Sequence, residues 1–277
     1  FLAAAIENEG GYYPSAAYAE EARRRGLRLL PPDVRAPSLE TQGRGDTVRI
    51  GLKRVRGLSP RTAQRILEEA RLAPLASLPD FMLRVHPSEE EAKALIRVGA
   101  CDGLDGSRAE MVWKLYAYLP LLWDRAAGGQ FPLGLEAPVE PLEVPPLPDF
   151  SAEERIRLER QILGLAVSGH PLGNYAEQME RCHPVSSAAL DGYVGKQVVV
   201  AGWPIGARPH RTKQGEWMVF LTLEDRVGTI EVVLFPEAYR ACAGLVGQEV
   251  PHVVQGVVQE RQGEIVVVGE AVWSTER

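Results

Sequence analysis

The chain has 277 residues, 45% of them hydrophobic and 25% charged, with a formal net charge of −6. Those are globular proportions, and they exclude wholesale disorder. No stretch reaches the roughly 18 consecutive apolar residues of a membrane-crossing helix, and the start, Phe1 to Glu7, lacks the basic lead-in of a signal peptide. The chain begins without Met, so it is expected to be a piece of a longer polypeptide or to lack its first residues.

In chain order, residues 1–7 read as the end of a helix stopped by Gly10-Gly11. Pro14 to Arg25 reads as a helix closed by Gly26, and Leu27 to Leu30 as a short extended piece before Pro31-Pro32. Thr47 to Leu52 is expected to be a strand running into a turn or short helix. Arg61 to about Arg71 is a clear helix: Ala63, Ile66, Leu67 and Ala70 make one apolar stripe, with Ser59 as N-cap and Pro60 at the first turn. Helices are expected next over about 78–85, 88–98 and 107–118. Residues 126–149 hold Gly128-Gly129 and six prolines, the composition of a semi-extended linker. Ser151 with Glu154 opens a helix expected to reach about Ala166, and Asn174 to Arg181 is a further helix. Beyond that the pattern changes to strands at about 197–203, 217–224, 228–234, 252–259 and 263–269, with a helix over about 236–245. Five strands with a helix between the third and fourth is the order of an oligonucleotide/oligosaccharide-binding (OB) barrel.

The cysteines, Cys101, Cys182 and Cys242, are odd in number and far apart, so neither a zinc ribbon nor a disulfide framework is supported, and a reducing cytoplasm is the simple reading. Cys242 is expected to be core. All five histidines neighbour a proline, which points to turns and surface rather than to metal ligation. No cluster of Asp for two-metal phosphoryl transfer, no Walker or dinucleotide loop and no Ser/His/Asp arrangement can be argued, so no catalytic residue, metal or cofactor is assigned to this chain.

The net charge hides an asymmetry: residues 22–71 hold 13 Lys/Arg against five Asp/Glu, net +8 inside an acidic chain. A segment of this kind is a candidate phosphate-binding surface. It contains Val55-Arg56-Gly57-Leu58-Ser59-Pro60 ahead of a helix, a helix-hairpin-helix pattern. Gly57 gives the hairpin a conformation that side chains resist, and the free N–H groups of the next helix point at whatever anion approaches. Lys53, Arg54, Arg56, Gly57, Ser59, Arg61 and Arg65 are therefore the candidate duplex contacts, made through the DNA backbone without reading bases. Many such motifs carry a second glycine where Ser59 stands. In the barrel the candidate single-strand contacts are Trp203, Arg208, His210, Arg211, Lys213, Trp217 and Phe220, because aromatic rings stack bases and cations track phosphates. A protein-contact or packing role for the same face stays open, since the barrel segment is net negative and Glu231 lies on its third strand. In the linker, Gln130-Phe131-Pro132-Leu133-Gly134-Leu135 is similar to the short peptide that docks in a sliding-clamp pocket, with Gln130, Leu133 and Leu135 as the contacts.

These pieces in this order resemble the C-terminal portion of bacterial C-family DNA polymerases, the DNA polymerase III alpha subunits. The resemblance is carried by Asn8 to Pro14, Glu20 to Gly26, Leu30 to Val34, Arg49 to Leu58, Gly99 to Asp102, Leu163 to Leu172 and Thr222 to Gly228. It covers nearly the whole chain. Cys101 departs from the usual Phe, and the Asn8 to Tyr13 start leans toward the accessory or error-prone branch. The resemblance implies an α+β multidomain chain, a helical helix-hairpin-helix region followed by a five-stranded OB barrel. It divides the chain into the end of the fingers (1–35), the duplex-binding region (36–125), the linker with its clamp peptide (126–150), a helical connector (151–190) and the barrel (191–277). Catalysis with Mg2+ would sit upstream in a palm whose carboxylates are absent here. The implied partners are primer–template DNA, single-stranded DNA, the sliding clamp and other replication or repair subunits, with no membrane, in the nucleoid-bearing cytoplasm. The residues alone also allow a free-standing, non-catalytic nucleic-acid-binding adaptor.

Overall fold

The computed structural model describes residues 1–8, 13–127, 144–261 and 263–275, with backbone only for 119–127. In chain order the helices are α1 (Leu2–Asn8), α2 (Ser15–Arg24), α3 (Pro60–Leu72), α4 (Leu78–Val85), α5 (Glu89–Arg97), α6 (Arg108–Ala127), α7 (Ala152–Leu163), α8 (Ala176–Cys182) and α9 (Pro236–Val246). The strands are β1 (Arg28–Leu30), β2 (Gln42–Arg44), β3 (Thr47–Arg49), β4 (Gln197–Arg211), β5 (Trp217–Glu224), β6 (Thr229–Leu234), β7 (His252–Arg261) and β8 (Glu264–Ser274). Short 3-10 turns lie at 52–54, 171–175 and 187–193. Two compact units result: 1–9 with 25–168, and 10–24 with 169–277.

The first unit holds a three-stranded sheet in the order β1-β3-β2 and the helices α1 and α3 to α7. Its helix starts are set by local hydrogen bonds. Ser59 Oγ accepts the Thr62 N–H at 3.1 Å, and Ser88 and Ser151 each form a full capping box with the Glu three residues on. Helix α7 stops at Leu163 rather than near Ala166, because Gly164 takes the left-handed conformation (φ +76°) and turns the chain out of the helix. The loop after Gly164 is tied down by Glu159, a fully buried carboxylate that accepts the N–H groups of Val167 at 2.7 Å and Ser168 at 2.8 Å. Arg108, nearly buried, reaches it at 3.7 Å and clamps Asp102 with two bonds of 2.9 and 2.8 Å.

The second unit is a closed barrel in the order β4-β5-β6-β8-β7. Strand β4 is longer than its apolar run suggests. Residues 197–202 pair with β7 and residues 203–211 with β5, so this one strand closes the barrel. Alternate residues point inward. Val198, Val200, Val219, Leu221, Leu223, Ile230, Val232, Leu234, Val254, Val258 and Val267 fill the interior, and Cys242 and Val246 of α9 pack against it. β-Branched side chains suit this pleated, buried surface. The bulge at Gln255/Gly256 requires glycine, because a Cβ there would run into the Val268 carbonyl.

Cys101 and Cys242 are buried and Cys182 half-buried, all as free thiols, and burial pushes the Cys101 thiol up. His86 and His183 cap α4 and α8 in left-handed conformations, as turn residues should. His252 departs from the surface expectation. It opens β7 with no exposure at all, its Nδ1 2.8 Å from the Val250 carbonyl, and burial lowers its pKa. Among the described residues no helix is long and apolar enough to cross a membrane.

Candidate nucleic-acid interface

The hairpin joins the 3-10 turn at 52–54 to α3. Gly57 sits at φ +85° with open space where a Cβ would point, so glycine is needed for backbone sign rather than for room. Ser59 lies at φ −71°, ordinary extended backbone, which explains why no second glycine is required there. The Ser59 N–H donates to Glu91 at 2.9 Å. Burial raises the Glu91 pKa, but bonds from the Ser88 and Ser59 N–H groups outweigh it and hold the carboxyl below its ordinary value. The N–H groups of Gly57 and Arg61 meet no acceptor among the described residues and lie at the exposed end of the helix. N–H groups left open at a helix start, with the positive end of the helix dipole, favour an anion.

The seven hairpin candidates divide by what already occupies them. Arg61 is exposed and makes no ion pair among the described residues. Lys53 pairs with Glu40 at 2.8 Å in full solvent, which raises the ammonium pKa. Arg65 donates to the Arg84 carbonyl at 2.7 Å. Arg54 and Arg56 hold helix α7. Arg54 donates to the Leu163 carbonyl at 3.0 Å and to Ile6 at 3.1 Å, while Arg56 donates through its backbone to Ile162 at 3.0 Å and through its side chain to Gln161 at 3.2 Å. Three consecutive carbonyls that a helix end leaves without partners are thus satisfied, two of them by guanidinium groups well placed against the helix dipole. Glu91 and Glu159 organise this region and escaped sequence reasoning. The Ser-x-x-Glu spacing at Ser88 was a usable signal for the first, and nothing local marks the second.

On the barrel, register brings Arg208 opposite Phe220, His210 opposite Met218 and Arg211 opposite Trp217. The Arg211 guanidinium stacks over the Trp217 ring at 4.7 Å, and His210 meets Phe220 edge-on at 6.4 Å. Trp217 and Phe220 are 48% and 40% exposed, so each ring offers part of its face to solvent. Lys213 stands on the exposed β4–β5 turn. Trp203 is different: it is only 7% exposed, so its ring belongs to the packing and offers no face to a base. A groove of about 1240 Å³ runs beside Phe220 and Arg208, past Glu231 and Val233 of β6 to Arg261 and Glu264 at the β7–β8 turn, with Tyr13 and Asp191 also on its wall. Burial and the charges of Glu231 and Glu264 raise the Tyr13 pKa. Tyr13, Asp191 and Arg261 were not anticipated; the charged turn between the last two strands was the available signal for Arg261.

The linker residues Gln130, Leu133 and Leu135 lie outside the described residues. Among the described residues no group of three or more His, Cys, Asp or Glu is placed to hold a metal ion.

Two family models match parts of the chain. A family model described as a helix-hairpin-helix motif matches residues 26–111, and one described as an OB-fold nucleic acid binding domain matches residues 198–273. DNA polymerase III subunit alpha of Thermus aquaticus is 31% identical over 94% of this chain and 22% of its own length. An error-prone DNA polymerase of Ralstonia nicotianae is 30% identical over 85% of this chain, again 22% of its own length. The chain therefore spans about a fifth of the curated relatives it matches. Among solved structures, the single-stranded DNA binding protein of Thermus aquaticus shares 21% identity over 29% of this chain and 40% of its own, with a TM-score of 0.26, too slight a likeness to carry an argument. The long alignments and the two domains in this order place the chain with the bacterial DNA polymerase III alpha subunits and error-prone DNA polymerases, as the counterpart of their helix-hairpin-helix and OB-fold part.

Proposed function

We propose that this chain is the DNA-gripping part of a polymerase, holding primer–template duplex on the hairpin and single-stranded template on the barrel face. The observation that supports it most is the exposed start of α3, where left-handed Gly57, two N–H groups with no acceptor and an Arg61 with no ion pair among the described residues follow one another within five residues. Phosphate contacts of this kind position a duplex without reading sequence, which is what a polymerase moving along any template requires. Nucleotidyl transfer with Mg2+ would belong to other parts of the parent enzyme, acting in the nucleoid-bearing cytoplasm.

The two roles of the hairpin arginines separate cleanly in one experiment. Arg61→Gln is expected to leave thermal stability unchanged while flattening the salt dependence of duplex binding by about 0.9 in log–log slope. Arg54→Ala is expected to lower unfolding stability by about 1.5–3 kcal/mol, since it removes charged bonds to two carbonyls. An Arg61→Gln protein with wild-type affinity and slope would remove the hairpin from the interface.

The Gln130 to Leu135 peptide would tether the chain to a sliding clamp by inserting two leucines and one amide into a hydrophobic pocket. Replacing Gln130, Leu133 and Leu135 by Ala should abolish clamp capture in a pull-down while duplex binding persists. Capture that survives the triple change would assign the contact elsewhere.

A further inference from the structure

The outer face of the small sheet in the first unit carries charge that the hairpin does not use. Register sets Thr47 between Arg28 and Arg44, and Arg49 between Leu30 and Gln42. Successive side chains alternate across a strand, so these six share one face. The opposite face holds Leu29 and Val48, which are 9% and 2% exposed and mark it as the core side. Three arginines are thereby gathered outward on three short strands. Arg28 has Asp46 at 3.4 Å in solvent, and Arg49 donates to the Pro31 carbonyl at 3.1 Å with Asp33 at 3.5 Å. Arg44 meets only the Gln42 amide, at 3.4 Å, and no carboxylate among the described residues.

A pocket of about 450 Å³ opens on this face between Arg44 and Arg49, walled by Ala36, Pro37 and Ser38, and no acidic residue lines it. Arg44 and Arg49 stand diagonally across β2 and β3, and no carboxylate lines the pocket between them. Guanidinium groups of this kind bind phosphate oxygens through paired N–H donors. We propose that the pocket seats a phosphate ester between Arg44 and Arg49, over the apolar floor of Leu30, Ala36 and Pro37. Its rim is continuous with the hairpin, because the Ser38 and Leu39 carbonyls accept the Leu52 and Lys53 N–H groups at 2.9 and 3.0 Å. A phosphate of the duplex backbone and the phosphates of a free nucleotide share this chemistry. Only the duplex source rests on the function proposed above.

The test titrates the full chain with a labelled duplex at two salt concentrations and with dATP by calorimetry, comparing wild type, Arg44→Gln, Arg61→Gln and the double variant. Arg44 is exposed and touches one amide, so Arg44→Gln should melt as the wild type does. For a backbone phosphate, Arg44→Gln should weaken duplex binding about three- to tenfold and flatten the salt slope by about one unit, in addition to the Arg61→Gln effect. For a nucleotide, dATP binding should vanish in Arg44→Gln while duplex binding is unchanged. Wild-type behaviour of Arg44→Gln toward both ligands would overturn the pocket, even where Arg61→Gln confirms the hairpin. Should the wild type bind no duplex, the hairpin reading falls, and the dATP arm alone decides the pocket.

Discussion

Replacing Trp217 and Phe220 together by Ala is expected to remove most of the chain's affinity for single-stranded DNA. Stacking of a base on an aromatic ring contributes about 1–3 kcal/mol per base, roughly five- to more than a hundredfold for each ring. Both rings are already half in solvent, one under Arg211 and the other edge-on to His210. Their loss should therefore cost little stability. Fluorescence anisotropy with a short oligonucleotide measures the effect, and the same protein should retain duplex binding through the hairpin. Unchanged affinity for the single strand would leave the barrel face to a protein partner, a reading its three groove carboxylates also suit.

The second large effect concerns pH. Burial raises the Glu224 carboxyl to about 7, although Arg24 lies 2.9 Å away and pulls it back. Burial, reinforced by the charges of Arg23, Arg226 and Arg24, lowers the His170 imidazole to about 4. In the unfolded chain these groups would titrate near 4.5 and 6.5. Glu224 keeps its proton in the folded protein after the unfolded chain has released it. Its contribution is therefore full below 4.5 and is lost as pH rises to about 7. His170 works in the other sense: its contribution is present above 6.5 and is lost as pH falls to about 4. Across the shared window the two slopes oppose and largely cancel. Glu224→Gln should uncover the His170 slope, so that stability relative to wild type rises by up to about 3 kcal/mol between pH 4.5 and 7. His170→Gln should do the reverse. Urea unfolding midpoints at pH 5 and pH 7 decide it, and variants that track the wild type at both would refute the coupling.

The barrel was legible because its strands are written in runs of Val, Ile and Leu that only a buried pleated surface accommodates, and because Pro236 and Gly263 punctuate them. Strand β2 was not legible: Gln42-Gly43-Arg44 has no apolar alternation and is a strand only because β3 supplies its partners. In the site, Gly57 announced the hairpin, and its left-handed backbone carries that reading. Charge alone was a poor guide to what each arginine does. Arg54 and Arg56 look like phosphate contacts in sequence, yet their acceptors are carbonyls 109 and 105 residues away, a separation no local pattern encodes. Trp203 was misplaced for a related reason. Its ring meets Tyr175 of the 3-10 turn at 171–175, with centroids 6.3 Å apart, a partner that the strand's own pattern does not show.

The place of helix α2 has a kinetic consequence. It lies in the first tenth of the chain but packs with the barrel unit, and Arg24 meets Glu224 across 200 residues of sequence. During synthesis this helix emerges long before its seat exists, and it must stay unpaired until β5 has left the ribosome. Contacts of such separation form late, after the entropy of loop closure has been overcome. A fragment begun at residue 169 would carry the five strands but not that guanidinium, leaving Glu224 buried without its counter-ion.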